Sequence, residues 1–368
     1  MKTPPVVDLP NNIDVVNVGL PLFETAIRNQ GAPAIGVDWR IPGGGAADVI
    51  AVLSQLLGPK SAQIDRANAE VVTRLNDGVP MLMSIDQAGS VVSGMGERTV
   101  LHCGPAIAWD DMCDPLQRSI KAAIVAEGWT ADTATAERFV ALGEVELRPA
   151  NELSTVLPMA TSIGPSAPVY VVENALGGTV SYSSINQGSG AVQWFGVDND
   201  EAIDRLRFIR DAVGPVLAGA IASKGTVDIL ALAAQGVPMG DDVHMRVQAT
   251  TNLFLRDLLP YLVRSSHTAT PEVATFLSSN HLMFLNLVMA AAKALVDSAS
   301  SVEHSSIVTT MSRNGATYGV RLPGAKSRWF VTESPPVQDA LYYPGFGPET
   351  SAADIGDSAV LELIGLGS

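Results

Sequence analysis

The chain has 368 residues, 47% of them apolar and only 17% charged, with a formal net charge of −15, a pI near 4.7 and a mean hydropathy of +0.23. An acidic balance of this size excludes a nucleic-acid-binding protein, which needs a basic face. A charged share well below the roughly 25% of average soluble proteins predicts a large core, extensive subunit interfaces, or both.

In chain order, Asp14 to Gly19 and Ala32 to Trp39 have the apolar runs of short strands, separated by a helix from Pro21 to Gln30. PGGG (Pro42 to Gly45) opens a loop before an amphipathic helix from Ala46 to Leu57. A helix from Ala67 to Asp77 and a strand from Val79 to Ile85 follow. Strands separated by helices of this length predict parallel βαβ pairing. Two helices are expected between Asp114 and Gly143, with Gly128 and Gly143 as C-terminal stops. Pro168 to Glu173, Val180 to Ser184 and Ala191 to Gly196 are predicted strands. Residues 200 to about 302 form a helical core, including one apolar helix from Pro271 onward, and strands resume at Ser306 to Met311, Tyr318 to Leu322 and Arg328 to Val331.

The expected fold is therefore α/β, with a small N-terminal parallel α/β domain (1–104) and a larger, helix-rich α/β domain (105–368). The most apolar stretches stop short of the roughly 18–20 residues that span a bilayer. Leu253 to Val263 contains Arg256, Asp257 and Pro260, and Leu282 to Ala292 includes Asn286. The opening MKTPPVVDLP has no export leader, and two cysteines, Cys103 and Cys113, are too few for a disulfide framework. A cytoplasmic protein, off the membrane, is expected.

Four polar islands interrupt the apolar C-terminal half: GDDVHMR (240–246), SSNHLMFLN (278–286), SRNGATYG (312–319) and DIGDSA (354–359). Burying a polar group without a partner costs about 1–3 kcal/mol, so such islands point to a site or to polar networks. Asp241 and His244 are spaced to meet on one helical turn as an acid/base pair or a metal foothold, while Asp241 or Asp242 also suits a helix cap. Arg246 and Arg313 carry the forked cation that suits a carboxylate or phosphate. Asn280, His281 and Asn314 can read an amide, and Asp357 and Ser358 precede an apolar segment as a helix N-cap or an anion site. His102, Cys103, Trp109, Asp110 and Cys113 cluster within twelve residues, but lack the ligand spacing of a zinc knuckle. Neither a metal nor a cofactor is expected, and GxGxxG, P-loop, GxSxG, HExxH and CxxC patterns are all missing.

Taken together, NVGLPLF (17–23), QGAPAIGVDWRIPGGG (30–45), HCGPAIAWDDMCDP (102–115), EGW (127–129), GDDVHMR, NHLMFLNLVMAAAKA (280–294), SRNGATYGVR and DIGDSA resemble the YlbE/YahG-like family of bacterial proteins over essentially the whole chain. The resemblance implies a component of a carbamoyltransferase of ureide and purine catabolism, including allantoin degradation. One branch acts with an FdrA-type subunit and a third small subunit to interconvert oxamate plus carbamoyl phosphate with oxalurate plus phosphate. The stretch from NVGL to PGGG (17–45) also resembles the C-terminal tail of FdrA-type subunits. Two departures stand out. Leu157 occupies a position where a loop glycine is expected, without the histidine expected in the segment just before it, and relatives are expected to continue past the point corresponding to Gly367. The Ser-Thr-Arg-Thr loop of aspartate and ornithine carbamoyltransferases is absent.

On this reading His244, Arg246, His281 and Arg313 are the catalytic candidates. Asp241, Asp242, Asn280, Asn314, Asp357 and Ser358 are the substrate-binding candidates, for a ureide or carbamoyl phosphate in a homo-oligomer. The alternatives are a non-catalytic scaffold or substrate-binding subunit for an FdrA-type partner, and a metal-dependent amidohydrolase built on Asp241 and His244.

Overall fold

The structure is a computed structural model. It describes residues 14–367 apart from 326, 327, 336, 338, 339, 343 and 364, so the segment 1–13 read for a leader lies outside the described residues. The fold is α/β. Two compact units divide at residues 63 and 64.

In the first unit β1 (Val15–Val18) and β2 (Ala34–Val37) pair in parallel, Val15 opposite Ala34, through the crossover helix α1 (Pro21–Asn29). PGGG makes a tight 3-10 turn, with Gly43 and Gly44 at φ 63°, and leads into α2 (Ala47–Leu57). Only Ala34 is buried among the described residues of this unit, and Val16, Val18, Leu22, Phe23, Ile35 and Trp39 are all exposed.

The second unit begins within α3 (Ser61–Asp77) and continues through β3 (Pro80–Gln87), the single turn α4 (Ala88–Val91) and β4 (Thr99–His102). Then come α5 (Asp114–Ala126), α6 (Thr133–Ala141), β5 (Glu146–Pro149), β6 (Pro168–Asn174) and β7 (Val180–Ser184). β3 does not extend the parallel sheet of the first unit. It pairs antiparallel with β6 and with the short β8 (Val227–Asp228), and β4 pairs in parallel with β5. Residues 64–104, assigned to the N-terminal domain from sequence, thus find their backbone partners downstream, which moves the division from 104 to 63. The glycine stops after α5 and α6 are left-handed as expected, Gly128 at φ 75° and Gly143 at φ 73°. The expected strand at Ala191 to Gly196 is instead a 3-10 turn, Gln193–Phe195. Gln193 lies inside, donating from Nε2 to the carbonyls of Ser119 (2.9 Å) and Ser162 (2.7 Å), so the segment joins a polar network rather than a ladder.

The helical region holds α7 (Asp200–Phe208), a π-helical turn at 209–213, α8 (Gly214–Lys224), α9 (Ile229–Gly236), α10 (Val243–Leu262), α11 (Thr270–Ser279) and α12 (Met283–Ser298). The single helix expected from Pro271 onward is two helices bent by 81°. The break falls at Asn280 (φ −93°, ψ 85°), whose Nδ2 leaves the helix to donate to the Asn186 carbonyl at 2.8 Å. No single helix among the described residues is long and apolar enough to cross a membrane.

The central sheet runs β7-β6-β3-β8. Because side chains alternate along a strand, Tyr170 and Val172 of β6 enter the large core built with α8, α10 and α12, while Val169 enters a second core with Leu101, Cys103 and Leu157. The remaining strands, β9 (Thr310–Asn314), β10 (Thr317–Arg321), β11 (Phe330–Glu333) and β12 (Ile355–Ser358), form an antiparallel sheet in the order β11-β10-β9-β12. β9 starts later than its sequence suggests because Asn68 holds the segment before it, its Oδ1 accepting from Ser305 Oγ (2.8 Å) and Ser306 N (2.9 Å). Asp357 and Ser358 lie in β12, not at the N-terminus of a helix, because they pair with Ser312 and Met311 of β9.

Candidate functional site

The four islands go to different places. In the first, Asp242 caps α10, its Oδ1 accepting from the backbone of His244 (2.7 Å) and Met245 (3.1 Å). Those bonds hold its carboxyl below the usual range. His244 is 78% exposed, 3.6 Å from Asp242, and Asp241 is exposed beside it. Arg246 donates to the carbonyls of Gly240 (3.1 Å) and Gly365 (3.3 Å), fastening the C-terminal segment to α10. In the second island His281 is exposed, whereas Asn280 and Asn286 are buried. Asn286 donates to the Ser184 carbonyl (2.7 Å) and accepts from Asn186 (3.0 Å), which seats the start of α12 on the end of β7.

The third and fourth islands meet through β9 and β12. Asp357 is 4% exposed and accepts from Ser312 Oγ, from Gly104 N (3.1 Å) and from Leu157 N (3.1 Å). Burial pushes its carboxyl above the usual range despite these donors. Asn314 donates to Pro105 O (3.2 Å) and Thr317 Oγ1 (2.8 Å) and accepts from Ala316 N and Thr317 N. Ser358 accepts from Val360 N at 3.2 Å. Arg313 is partly exposed, with Nε 2.8 Å from an Asp354 carboxylate oxygen. Cys103 donates to carbonyls of the 157–161 loop, closest at Met159 O (2.6 Å), and burial drives its thiol well above the ordinary range. A buried thiol of that kind is a poor nucleophile.

Gly104 allows this junction to close. Its φ is +87°, and a Cβ there would lie 2.5 Å from the Asn314 Cβ and 2.8 Å from its backbone nitrogen. Gly104→Ala is expected to lower stability by about 2 kcal/mol, through a strained φ and a clash with backbone, read as a shifted urea midpoint.

Beside this junction lies a polar cleft of about 260 Å³. It is bounded by the C-terminal half of α12, the ends of β9 and β10, and the 3-10 turn Ala150–Leu153, and it holds Lys293, Asp297, Arg321, Thr310, Asn151 and Ser154. Lys293 is the one cation on α12, its side chain 2% exposed, with Nζ 2.7 Å from Asp297 Oδ1. A lysine four residues before its acid is the weaker order for helix stability. Arg321 donates to the Asn151 carbonyl (3.2 Å) and lies over the Trp329 ring, 5.2 Å from its centroid, while Trp329 Nε1 donates to Glu152 (3.0 Å). Burial lowers the Arg321 pKa, although a guanidinium keeps its charge in proteins. Ser154 is left-handed at φ 49°, fixing the turn that carries Asn151.

None of these residues was singled out from sequence. The available signal was one lysine in an otherwise apolar helical run. The cleft thus sets two cations, Lys293 and Arg321, beside two carboxylates, Asp297 and Glu152, with several hydroxyl and amide groups, and the cations are the groups that suit a small carboxylate or phosphate. No group of three or more His, Cys, Asp or Glu side chains among the described residues is placed to hold a metal ion.

With this geometry, the chain belongs to the family described as oxamate carbamoyltransferase subunit AllG, whose model matches residues 145–358 and so spans the cleft and the Asp357 junction. Among similar proteins, an uncharacterized protein YahG of Escherichia coli (strain K12) is 33% identical over 96% of this chain and 76% of its own length. The oxamate carbamoyltransferase subunit AllG of the same organism is 36% identical over 83% of this chain and 73% of its own. The crystal structure of a conserved protein of unknown function from Enterococcus faecalis V583 superimposes with a TM-score of 0.75 at 33% identity, covering 81% of this chain and 72% of that one.

Proposed function

We propose that the protein is a component of a carbamoyltransferase and binds its small anionic substrate in the cleft around Lys293 and Arg321. The observation that carries this reading is a lysine buried to 2% exposure beside an arginine in a cleft. The reaction is the transfer of a carbamoyl group between carbamoyl phosphate and oxamate or a related acceptor. The acceptor nitrogen bonds to the carbamoyl carbon, the carbon–oxygen bond to phosphate breaks, and the nitrogen's proton leaves on the phosphate. Such a transfer depends mainly on positioning and on cations facing the oxyanions. Lys293 and Arg321 take the part expected of Arg246 and Arg313, while Asp357, Asn314 and Asn280 serve as framework.

A second reading, that of an assembly subunit, is favoured by the exposed apolar residues of the first unit. An FdrA-type subunit and a third small subunit are the partners implied by the resemblance, and a second copy of this chain is a further candidate.

Thermal unfolding of the full chain against carbamoyl phosphate, phosphate and oxamate tests the cleft, because a ligand selective for the native state raises the melting temperature. A shift with wild type that disappears in Arg321→Met is the expected result. An equal shift in both proteins would remove the cleft from consideration.

A further inference from the structure

Asn151 is 1% exposed and lines the cleft with Lys293 and Arg321. Neither its Nδ2 nor its Oδ1 has a hydrogen-bond partner among the described residues. Its main chain, by contrast, is engaged, the carbonyl accepting from Arg321. Buried Asn286 and Asn314 each donate and accept through the side-chain amide, and Asn280 donates through its Nδ2. A buried amide that does neither is costly to keep, and an apolar side chain of similar size would fill the same space without that cost. The amide is therefore of use only when a complementary group arrives, one that presents an acceptor and a donor side by side.

We propose that Asn151 is a specificity-determining residue of the cleft, its side-chain amide pairing with the carboxamide or ureido group of a substrate whose carboxylate is held by Lys293 and Arg321. The proposal rests on the function proposed above. In the pair, Asn151 Nδ2 donates to the substrate carbonyl oxygen and Oδ1 accepts from its N–H. A site that offers hydrogen bonds in this way discriminates against an analogue lacking them, since the polar groups of the site are then left unpaired.

The test is a titration of the full chain with oxamate and with pyruvate, which share a carboxylate and a charge and differ in carrying NH2 or CH3 beside the carbonyl. Wild type is expected to favour oxamate on the order of tenfold. Asn151→Leu brings the ratio close to one by weakening oxamate alone. Asn151→Ala, which likewise has no acceptor for the substrate N–H, also loses the preference and carries the test if the leucine variant does not fold. A wild-type ratio near one, or a preference that survives in both variants, overturns the proposal. Lys293→Met separates the two readings. It weakens both ligands alike if the cleft is the site, and if it weakens neither, the cleft itself is refuted whatever Asn151 does. Wild type that binds neither compound refutes both.

Discussion

Lys293→Met is expected to leave the protein folded while lowering affinity for a small anion by about 10–100-fold, the value of one or two charge-assisted hydrogen bonds. The buried stem of Lys293 packs within the apolar run of α12, and methionine is close to it in volume. Its partner Asp297 retains 21% side-chain exposure and can turn to water once unpaired. Removing one partner of a buried pair costs about 3–5 kcal/mol when it strands the other charge in the interior, and that cost falls where the remaining charge reaches water, as Asp297 does. The two roles for Lys293 therefore separate in a pair of measurements. A site role predicts an unfolding free energy within about 1 kcal/mol of wild type together with lost binding. A purely structural role predicts intact binding and a large drop in stability.

Asp357→Asn is expected to cost about 3 kcal/mol and to flatten the dependence of stability on pH. The carboxylate accepts from Ser312 Oγ, Gly104 N and Leu157 N. An amide can serve two of these donors through its oxygen but points N–H at the third, leaving it unsatisfied and crowded. The pH effect has a definite sign. Burial raises the folded-state pKa of Asp357 above its unfolded value, so the folded chain binds the proton more tightly. The contribution is fully present below the unfolded pKa and is lost as pH rises through the folded one. Asp242 moves the opposite way, its pKa lowered by backbone donors, so its contribution is lost as pH falls. Urea unfolding of wild type and Asp357→Asn between acidic and neutral pH isolates the first effect as the difference between the two curves. Parallel curves would show that Asp357 does not titrate differently in the folded and unfolded chain.

Much of the candidate site was legible only as a warning. The islands did mark polar groups that enter the interior, and Asn280, Asn286, Asn314 and Asp357 are all buried. In three dimensions most of them bond to backbone groups of distant loops, as Asp357 does to Gly104 and Leu157. A sequence shows that a polar residue is surrounded by apolar ones, but not whether its hydrogen bonds are already made. Lys293 illustrates the converse. It stands alone in an apolar helix, and only the approach of Arg321 and Asn151 gives it a cleft to face.

What the sequence by itself determined is the part governed by neighbours along the chain. It set the parallel β1-α1-β2 unit, the glycine stops after α5 and α6, the Asp242 cap and the α/β class. Period, capping and turn chemistry act over a few residues, so they can be read in order. The tertiary structure decided which strands pair, sending β3 to β6 and β8 and β12 to β9, and with that the division at residue 63. It also turned α12 away from α11 at Asn280, and it brought the cations together. These outcomes depend on contacts between segments far apart in the chain, where the partner that satisfies a backbone or side-chain group is chosen by packing and not by local propensity.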